Sequence, residues 1–413
     1  MNREEKMIVA LTGCSHALTH GYLLIFPAVL LLLREEFSLG YLGLGVIGNI
    51  MTFSYGLGAL PAGMIYNRVG PKRLYLICFL GSAFASMLVA FSPNILLFTA
   101  GLALLGGLGS VYHPLVNALI TSKVKQYGIA LGIHGSAGNI GLALTPILAG
   151  LIASRFGWRA AYLAFCVPGI ALSIWSLFFD LSVKKEEGKD PSGGGSRFDP
   201  PSRRRNFWIY FSTPLLLLYI LNSLQAFSFY GATTFLPTYI AKHTSFQIFS
   251  WDSVAVGGML SGLALFMGVF GQYTGGVLGQ GNRLERSLVL MTGACFPFIL
   301  VMSFTRDTSL LLMALCYFFF NFGLQPMLNV LLARNTTVEM RGTAFGIYFF
   351  ASSGVGSLSS SFSGYIAERF GLQWVFLGLS GALLVALFFS LLLFRVARKK
   401  ARPPLKGQST KRG

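Results

Sequence analysis

Eleven stretches of this 413-residue chain run for about 20 residues or more without a single Asp, Glu, Lys or Arg: 7–33, 37–67, 74–122, 126–154, 160–179, 206–241, 253–282, 287–305, 308–333, 342–367 and 370–394. A helix needs about 20 apolar residues to cross a hydrocarbon core of about 30 Å. The run 74–122 is twice too long for one crossing, and "FSPN" at Phe91–Asn94 divides it. Twelve spans follow. Lipid offers the backbone no hydrogen-bond partners, so runs this apolar are expected to be helices. The expectation is an all-α integral membrane protein.

Composition agrees: 11% of the residues are charged and 54% are hydrophobic, against about 25% charged in soluble domains. An ordinary cytosolic enzyme is excluded. With the N-terminus taken as cytoplasmic, 26 of the 32 Lys and Arg residues fall on the cytoplasmic side. Excess basic residues mark the cytoplasmic face, which places both termini there. The net charge of +18 is thereby read as a topology signal beside anionic headgroups, and nucleic acid is not an expected partner. The five cysteines (Cys14, Cys78, Cys166, Cys295, Cys316) all lie in spanning runs and form no CxxC pair, so neither a disulfide framework nor a zinc knuckle is expected. The first run is too long for a cleaved signal and reads as a retained anchor.

The longest polar interval, "KKEEGKDPSGGGSRFDPPSRRRN", divides the spans six and six. Its Gly, Pro, Ser and mixed charge suit a flexible linker. The expected organisation is a first six-helix bundle over 1–183, a linker over 184–206, a second bundle over 207–396 and a basic tail over 397–413. The halves repeat. "GIALGIHGSAGNIGLALTPILAGLIASRFG" (128–157) aligns without gaps to "GTAFGIYFFASSGVGSLSSSFSGYIAERFG" (342–371), with 12 of 30 positions identical. An even number of spans gives both copies one orientation, the build of transporters with a site between the halves near the midplane.

At this point the chain resembles the major facilitator superfamily. After the second span, "GMIYNRVGPKR" is similar to that family's loop signature, matching at Gly63, Arg68, Gly70, Lys72 and Arg73, with Asn67 where the family has Asp. "GNIGLALTPILAG" (Gly138–Gly150) is similar to the Gly-rich fifth-helix signature of many exporters. "GCSHALTHGYLLIFPAVLLLL" and "GLGSVYHPLVNALI" resemble the fosmidomycin-resistance branch at His16, Pro27, His113 and Pro114, with His20 where that branch has Asp. The resemblance implies two pseudo-symmetric six-helix bundles, alternating access and proton-antiporting efflux of a phosphonate-like compound. It assigns conformational roles to Gly63, Asn67, Arg68, Gly70, Lys72 and Arg73. It also implies a cavity lined by the first, fourth, seventh and tenth helices.

No Asp or Glu lies within a span, so His16, His20, His113 and His134 are the side chains available to carry a coupling proton. At about 1.5 Å per residue, three of them fall at one depth, with His20 about 6 Å farther in. Each could instead be neutral and structural, donating to a neighbouring helix. "HALTH" has the HxxxH form of membrane di-iron enzymes, but their further His-rich boxes are missing, so no enzyme activity is expected. A transition metal on His16, His20, His113 and Cys14 would lack a carboxylate to offset its charge, and neither a metal nor a cofactor is expected. Polar candidates for the substrate are Tyr112, Asn117, Asn139, Gln225, Tyr230, Asn321 and Gln325. With aromatics beside them they suit a neutral or weakly anionic amphiphile. The leading expectation is proton-coupled efflux of such a compound, with proton-linked uptake of an organic anion as the alternative and transport of a transition metal ranked behind both. The partners are then a small molecule, protons and the bilayer, and a monomer in a prokaryotic inner membrane is expected.

Overall fold

The computed structural model describes residues 1–181, 207–281, 283–336 and 338–401; the side chains of Gly63 and Asn67 fall outside it, as does the expected linker 184–206. The first group of helices is α1 (Arg3–Ala28), α2 (Leu30–Glu36), α3 (Tyr41–Val69), α4 (Pro71–Ala90), α5 (Ile95–Gly109), α6 (Tyr112–Lys123), α7 (Tyr127–Phe156) and α8 (Trp158–Leu177). The second is α9 (Thr213–His243), α10 (Ser253–Gly279), α11 (Leu284–Met302), α12 (Asp307–Arg334), α13 (Val338–Arg369) and α14 (Leu372–Ala401). Ten spans, with Ile95–Ile120 counted as one, are long and apolar enough to cross a membrane. Two further helices, α3 and α13, are 29 and 32 residues long and form one seam between the groups.

Two expected spans are broken near a proline, and at the second the ring removes a backbone donor and crowds the carbonyl four residues earlier. Helix α1 ends at Ala28, one residue after Pro27, and α2 continues from Leu30. Pro114 lies four residues after Ser110, where α5 gives way to α6 through a turn at Ser110–Val111. At the other end of the chain α14 runs to Ala401, five residues into the expected tail. Arg and Lys are good helix formers and favour a helix C-terminus, which extends it.

The sequence repeat is visible in the backbone. Both copies end on a left-handed glycine, Gly157 at φ +83° and Gly371 at φ +104°, a conformation that only glycine adopts without strain. The copies also make equivalent contacts across the groups: α7 packs on α10, and α13 packs on α3. Gly150 of α7 lies against Val254 and Gly258, while its repeat partner Gly364 lies against Tyr41, Leu42 and Gly45. Helix packing in lipid depends on such small residues because apolar burial gives no advantage there.

One face of the molecule carries Met1, the α3–α4 and α6–α7 connections and the end of α14; the opposite face carries the α2–α3, α9–α10 and α13–α14 connections. These are called the terminal and distal faces below. The groups meet from the distal face to about mid-helix. Along one seam run Glu368 on Tyr41, Ser361 on Asn49 (3.0 Å) and Ser353 against Gly56. Along the other run Gly150, Gly258 and Gly262, ending at an Asn139–Gln272 hydrogen bond. Nearer the terminal face, Gly132 and Gly135 of α7 and Gly276 of α10 meet nothing within 4 Å. Helix α6 packs on α1, α3, α4 and α7, and α12 on α9, α10, α11 and α13, so among the described residues neither forms a seam across the groups. The two groups are closed at the distal face and open at the terminal face. Large apolar side chains such as Leu96, Val167 and Phe388 stand exposed on the outer surface, as expected where the surroundings are lipid.

The distal closure has a specific fastening. The Glu368 carboxylate accepts the Tyr41 N–H at 2.6 Å, and Gly40 leaves the space it occupies, since a Cβ there would meet the carboxylate at 2.5 Å. A carboxylate at a helix N-terminus satisfies an orphan donor and complements the helix dipole, each contribution about 0.5–1 kcal/mol. Replacing Glu368 by alanine therefore accelerates hydrogen exchange at Tyr41, measurable by mass spectrometry of the first turn of α3. Unchanged exchange would mean that the carboxylate does not hold this end shut.

Candidate functional site

All four histidines singled out from the sequence come together. The break in α5–α6 turns Tyr112 and His113 toward α1, where His16 and His20 lie one turn apart. Helix α7 brings His134 from the other side. The His16 ring stacks on that of His134 at 4.1 Å between centroids and an interplanar angle of 13°. It lies 4.8 Å from His20 and 5.1 Å, edge-on, from His113; His20 and His113 are 5.8 Å apart. Depth estimates along three separate helices put His20 apart from the others, and the structure closes that gap because its ring leans back along α1 onto His16.

Close approach of α1 and α7 makes this possible. Gly13 faces Ala137, Gly141 lies against the backbone of Ala17, and the His16 ring occupies the space over Gly138. With that space free, His16 Nδ1 reaches the main-chain oxygen of His134 at 2.7 Å. Its Nε2 lies 3.1 Å from His20 Nε2. His16 and His134 are buried, whereas His20 and His113 are half-buried. The ring nitrogens of His16, His20 and His113 offered toward one another lie within 4.8 Å. Imidazoles at that spacing also suit a transition ion, yet no carboxylate of the described residues joins them.

The substrate candidates divide by position. Tyr112 is fully buried behind the cluster, its hydroxyl donating to the Thr12 carbonyl at 2.5 Å. It holds α6 on α1 and does not line open space. Asn117 lies one turn further along α6, exposed. Asn139 is bonded to Gln272 of the other group. In the second group Gln225 Nε2 donates to Asn321 Oδ1 at 2.9 Å, and Asn321 Nδ2 lies 3.3 Å from the Tyr317 hydroxyl. That hydroxyl meets Ser228 at 2.9 Å, so Asn321 is a buried member of a network linking α9 and α12. Gln225 and Gln325 are half-buried. Tyr230 rests its ring on Gly356 of α13. Phe229 and Phe322 meet edge to face at 5.3 Å beside them.

Three residues to which the sequence assigned no role at this site matter here. Tyr55 of α3 stands edge-on to His113 at 6.3 Å. Gln272 closes the second seam, and Gly138 makes room for His16. A lone amide inside an apolar run was a signal for Gln272, and Gly138 opens the Gly-rich stretch of the fifth helix without its contact being legible there; nothing local marked Tyr55.

The expected loop motif is mostly helical. Helix α3 runs through Val69, so Gly63, Asn67 and Arg68 belong to its last turns. Gly70 at φ +86° makes the turn, and Pro71 opens α4, a start that its fixed φ favours. Arg68 and Arg73 are exposed. Lys72 Nζ donates to the Leu177 carbonyl at 3.1 Å, satisfying the end of α8 with a cation where the helix dipole favours one.

The fold of two helix groups matches known proteins. The chain has a TM-score of 0.81 to the crystal structure of a bacterial homolog of the human lysosomal transporter Spinster, in its inward-facing and occupied conformation, at 14% identity over 98% of this chain and all of that one. It is 26% identical to a probable sulfoacetate transporter of Cupriavidus necator over 378 residues, 86% of this chain and 85% of the relative. It is 26% identical to a multidrug resistance protein of Proteus mirabilis over 94% of both chains. It is also 23% identical to a probable L-galactonate transporter of Escherichia coli over 82% of this chain and 78% of the relative. The model of the Major Facilitator Superfamily matches residues 10–360 and 323–412. The chain is a multi-pass membrane transporter and belongs to the Major Facilitator Superfamily.

Proposed function

We propose that the protein moves a small organic anion across a prokaryotic inner membrane by alternating access, coupled to protons through the histidine cluster. The twelve spans would place both termini in the cytoplasm, so the open terminal face would be the cytoplasmic one and the conformation inward-facing. The observation that carries the reading is the meeting of His16, His20, His113 and His134 in spans that hold no Lys, Arg, Asp or Glu. An anion entering there finds one source of positive charge, a protonated imidazole. Amides of Gln225 and Gln325 and the Phe229–Phe322 surface would receive the rest of the molecule. The sulfoacetate and L-galactonate transporters among the relatives support an organic anion as cargo.

If imidazolium holds the anion, proton and anion each raise the other's affinity, and that linkage gives symport. Uptake is therefore preferred to the efflux that the fosmidomycin-branch resemblance implies. Efflux by antiport remains the second reading, favoured by the multidrug resistance relative; there a substrate group would replace the proton. Purified protein in weakly buffered detergent, mixed with sulfoacetate, L-galactonate or fosmidomycin, separates the two. Proton uptake on binding is the expected result. Proton release supports antiport, and binding without proton movement overturns coupling at this cluster. The protein is expected to work as a monomer, with Gly63, Asn67, Arg68, Gly70, Lys72 and Arg73 shaping the terminal face as it closes.

A further inference from the structure

Two hydrogen bonds in the cluster fix which nitrogen of His16 and which nitrogen of His20 carries hydrogen. A carbonyl oxygen only accepts, so His16 Nδ1, at 2.7 Å from the His134 oxygen, bears the hydrogen and donates. A neutral imidazole has one N–H. The Nε2 of His16 is then a lone pair, and it faces His20 Nε2 at 3.1 Å. Two lone pairs at that distance repel, whereas a lone pair and an N–H bond. His20 Nε2 therefore carries its hydrogen and donates to His16, which leaves the lone pair of His20 on Nδ1. Among the described contacts no hydrogen bond engages that atom.

We propose that His20 Nδ1 is the atom that takes up and releases the coupling proton, and that His16 is a positioning residue which holds His20 in the tautomer that keeps this atom basic. The assignment rests on the proton-coupling reading above. Proton uptake forms one N–H bond at His20 Nδ1 and makes that ring an imidazolium; release breaks the same bond and restores the neutral tautomer. His16 keeps its Nδ1–H throughout. A proton placed instead on His16 Nε2 would set two N–H groups against each other and break the pair.

The groups around His20 allow one charge and no more. From its own helix there is His16, from α6 His113, from α7 His134, and behind His113 stands Tyr55 of α3. The charge-free runs 206–241 and 253–282 of α9 and α10 bring no ionised side chain. A second proton on any neighbouring ring would place like charges about 5 Å apart, several kcal/mol of repulsion at an effective dielectric constant near 20. The cluster thus carries a single positive charge, which suits one carboxylate or sulfonate group of a substrate.

The chain has five histidines, few enough for nitrogen NMR of protein labelled with ring ¹⁵N-histidine in lipid nanodiscs. Nδ1–H tautomers are expected at His16 and at His243, whose Nδ1 lies 3.0 Å from the Tyr239 oxygen. His16→Asn removes one of these two signals. On acidification from about pH 8 to 5, across the usual imidazole range, the first ring of the cluster to gain a second N–H is expected to be His20. That transition is lost in His20→Gln, whose amide reproduces the Nε2 donor without a basic Nδ1, and it moves to a different pH in His16→Asn, where the ring that fixed the His20 tautomer is gone. An Nε2–H tautomer at His16, or a first proton on His16, His113 or His134, overturns the assignment. The wild-type spectrum tests the tautomers even if a variant fails to fold. Because the spectra need no substrate, failure here leaves the transport reading standing, whereas transport without proton movement defeats that reading whatever the spectra show.

Discussion

In His20→Ala and in His113→Ala, proton-driven transport falls by at least tenfold while expression and fold persist. The fold persists because each change removes little. His20 makes one described hydrogen bond, to His16, and a side-chain hydrogen bond contributes about 1 kcal/mol. Both rings are only half-buried, so each truncation leaves less of a cavity than removal of a fully buried ring. Function falls because no span supplies another charge: all 14 acidic residues lie in loops or at helix ends. A tenfold loss corresponds to about 1.4 kcal/mol of lost stabilisation in the rate-limiting state, which one charge-assisted contact with an anion supplies. The measurement is anion accumulation in proteoliposomes under an imposed pH gradient, beside thermal stability of the purified variants. Wild-type rates in both variants would sink the coupling role of the cluster.

Gly138→Ala is expected to disable the same cluster without touching a histidine. A Cβ at residue 138 would lie 2.5 Å from His16 Cε1 and 2.6 Å from Nδ1, closer than such atoms approach. The ring cannot withdraw into free space, because it is stacked on His134 and meets His20 and His113. Either the ring leaves the His134 carbonyl or α7 moves away from α1. Overpacking of this kind costs about 1–3 kcal/mol, and a displaced His16 no longer holds His20. Gly135→Ala is the control, since it meets nothing within 4 Å. Transport under a pH gradient should collapse in the first variant and survive in the second. Equal activity of the two would mean that the His16–His134 contact is not needed for coupling.

Much of the candidate site was legible in the sequence, for a reason particular to membranes. Polar side chains are scarce in lipid-spanning runs, so four histidines in charge-free segments stand out against an apolar background. Helix parity and residue depth then placed three of them in one slab. Roles were less legible. Tyr112 and Asn139 looked alike as polar residues in spans, yet one fastens α6 to α1 and the other fastens the two helix groups. Which way a side chain points from a helix depends on the rotation of that helix against its neighbours, and no local pattern encodes it.

The sequence by itself determined the membrane setting, the helices, the repeat and the identity of the groups able to bind a proton. These follow from terms that are nearly additive along the chain: backbone satisfaction in lipid, charge placement and the paired glycines at 157 and 371. Only the tertiary structure decided that the distal face is shut by Glu368 on α3, that Gly138 admits the His16 ring, and that a main-chain oxygen of α7 sets the tautomer of two rings on α1. Those features depend on residues 118 to 327 positions apart meeting within hydrogen-bond range. Such contacts exist only after the helices have packed, because a bond of about 3 Å is set by where small residues let two backbones approach.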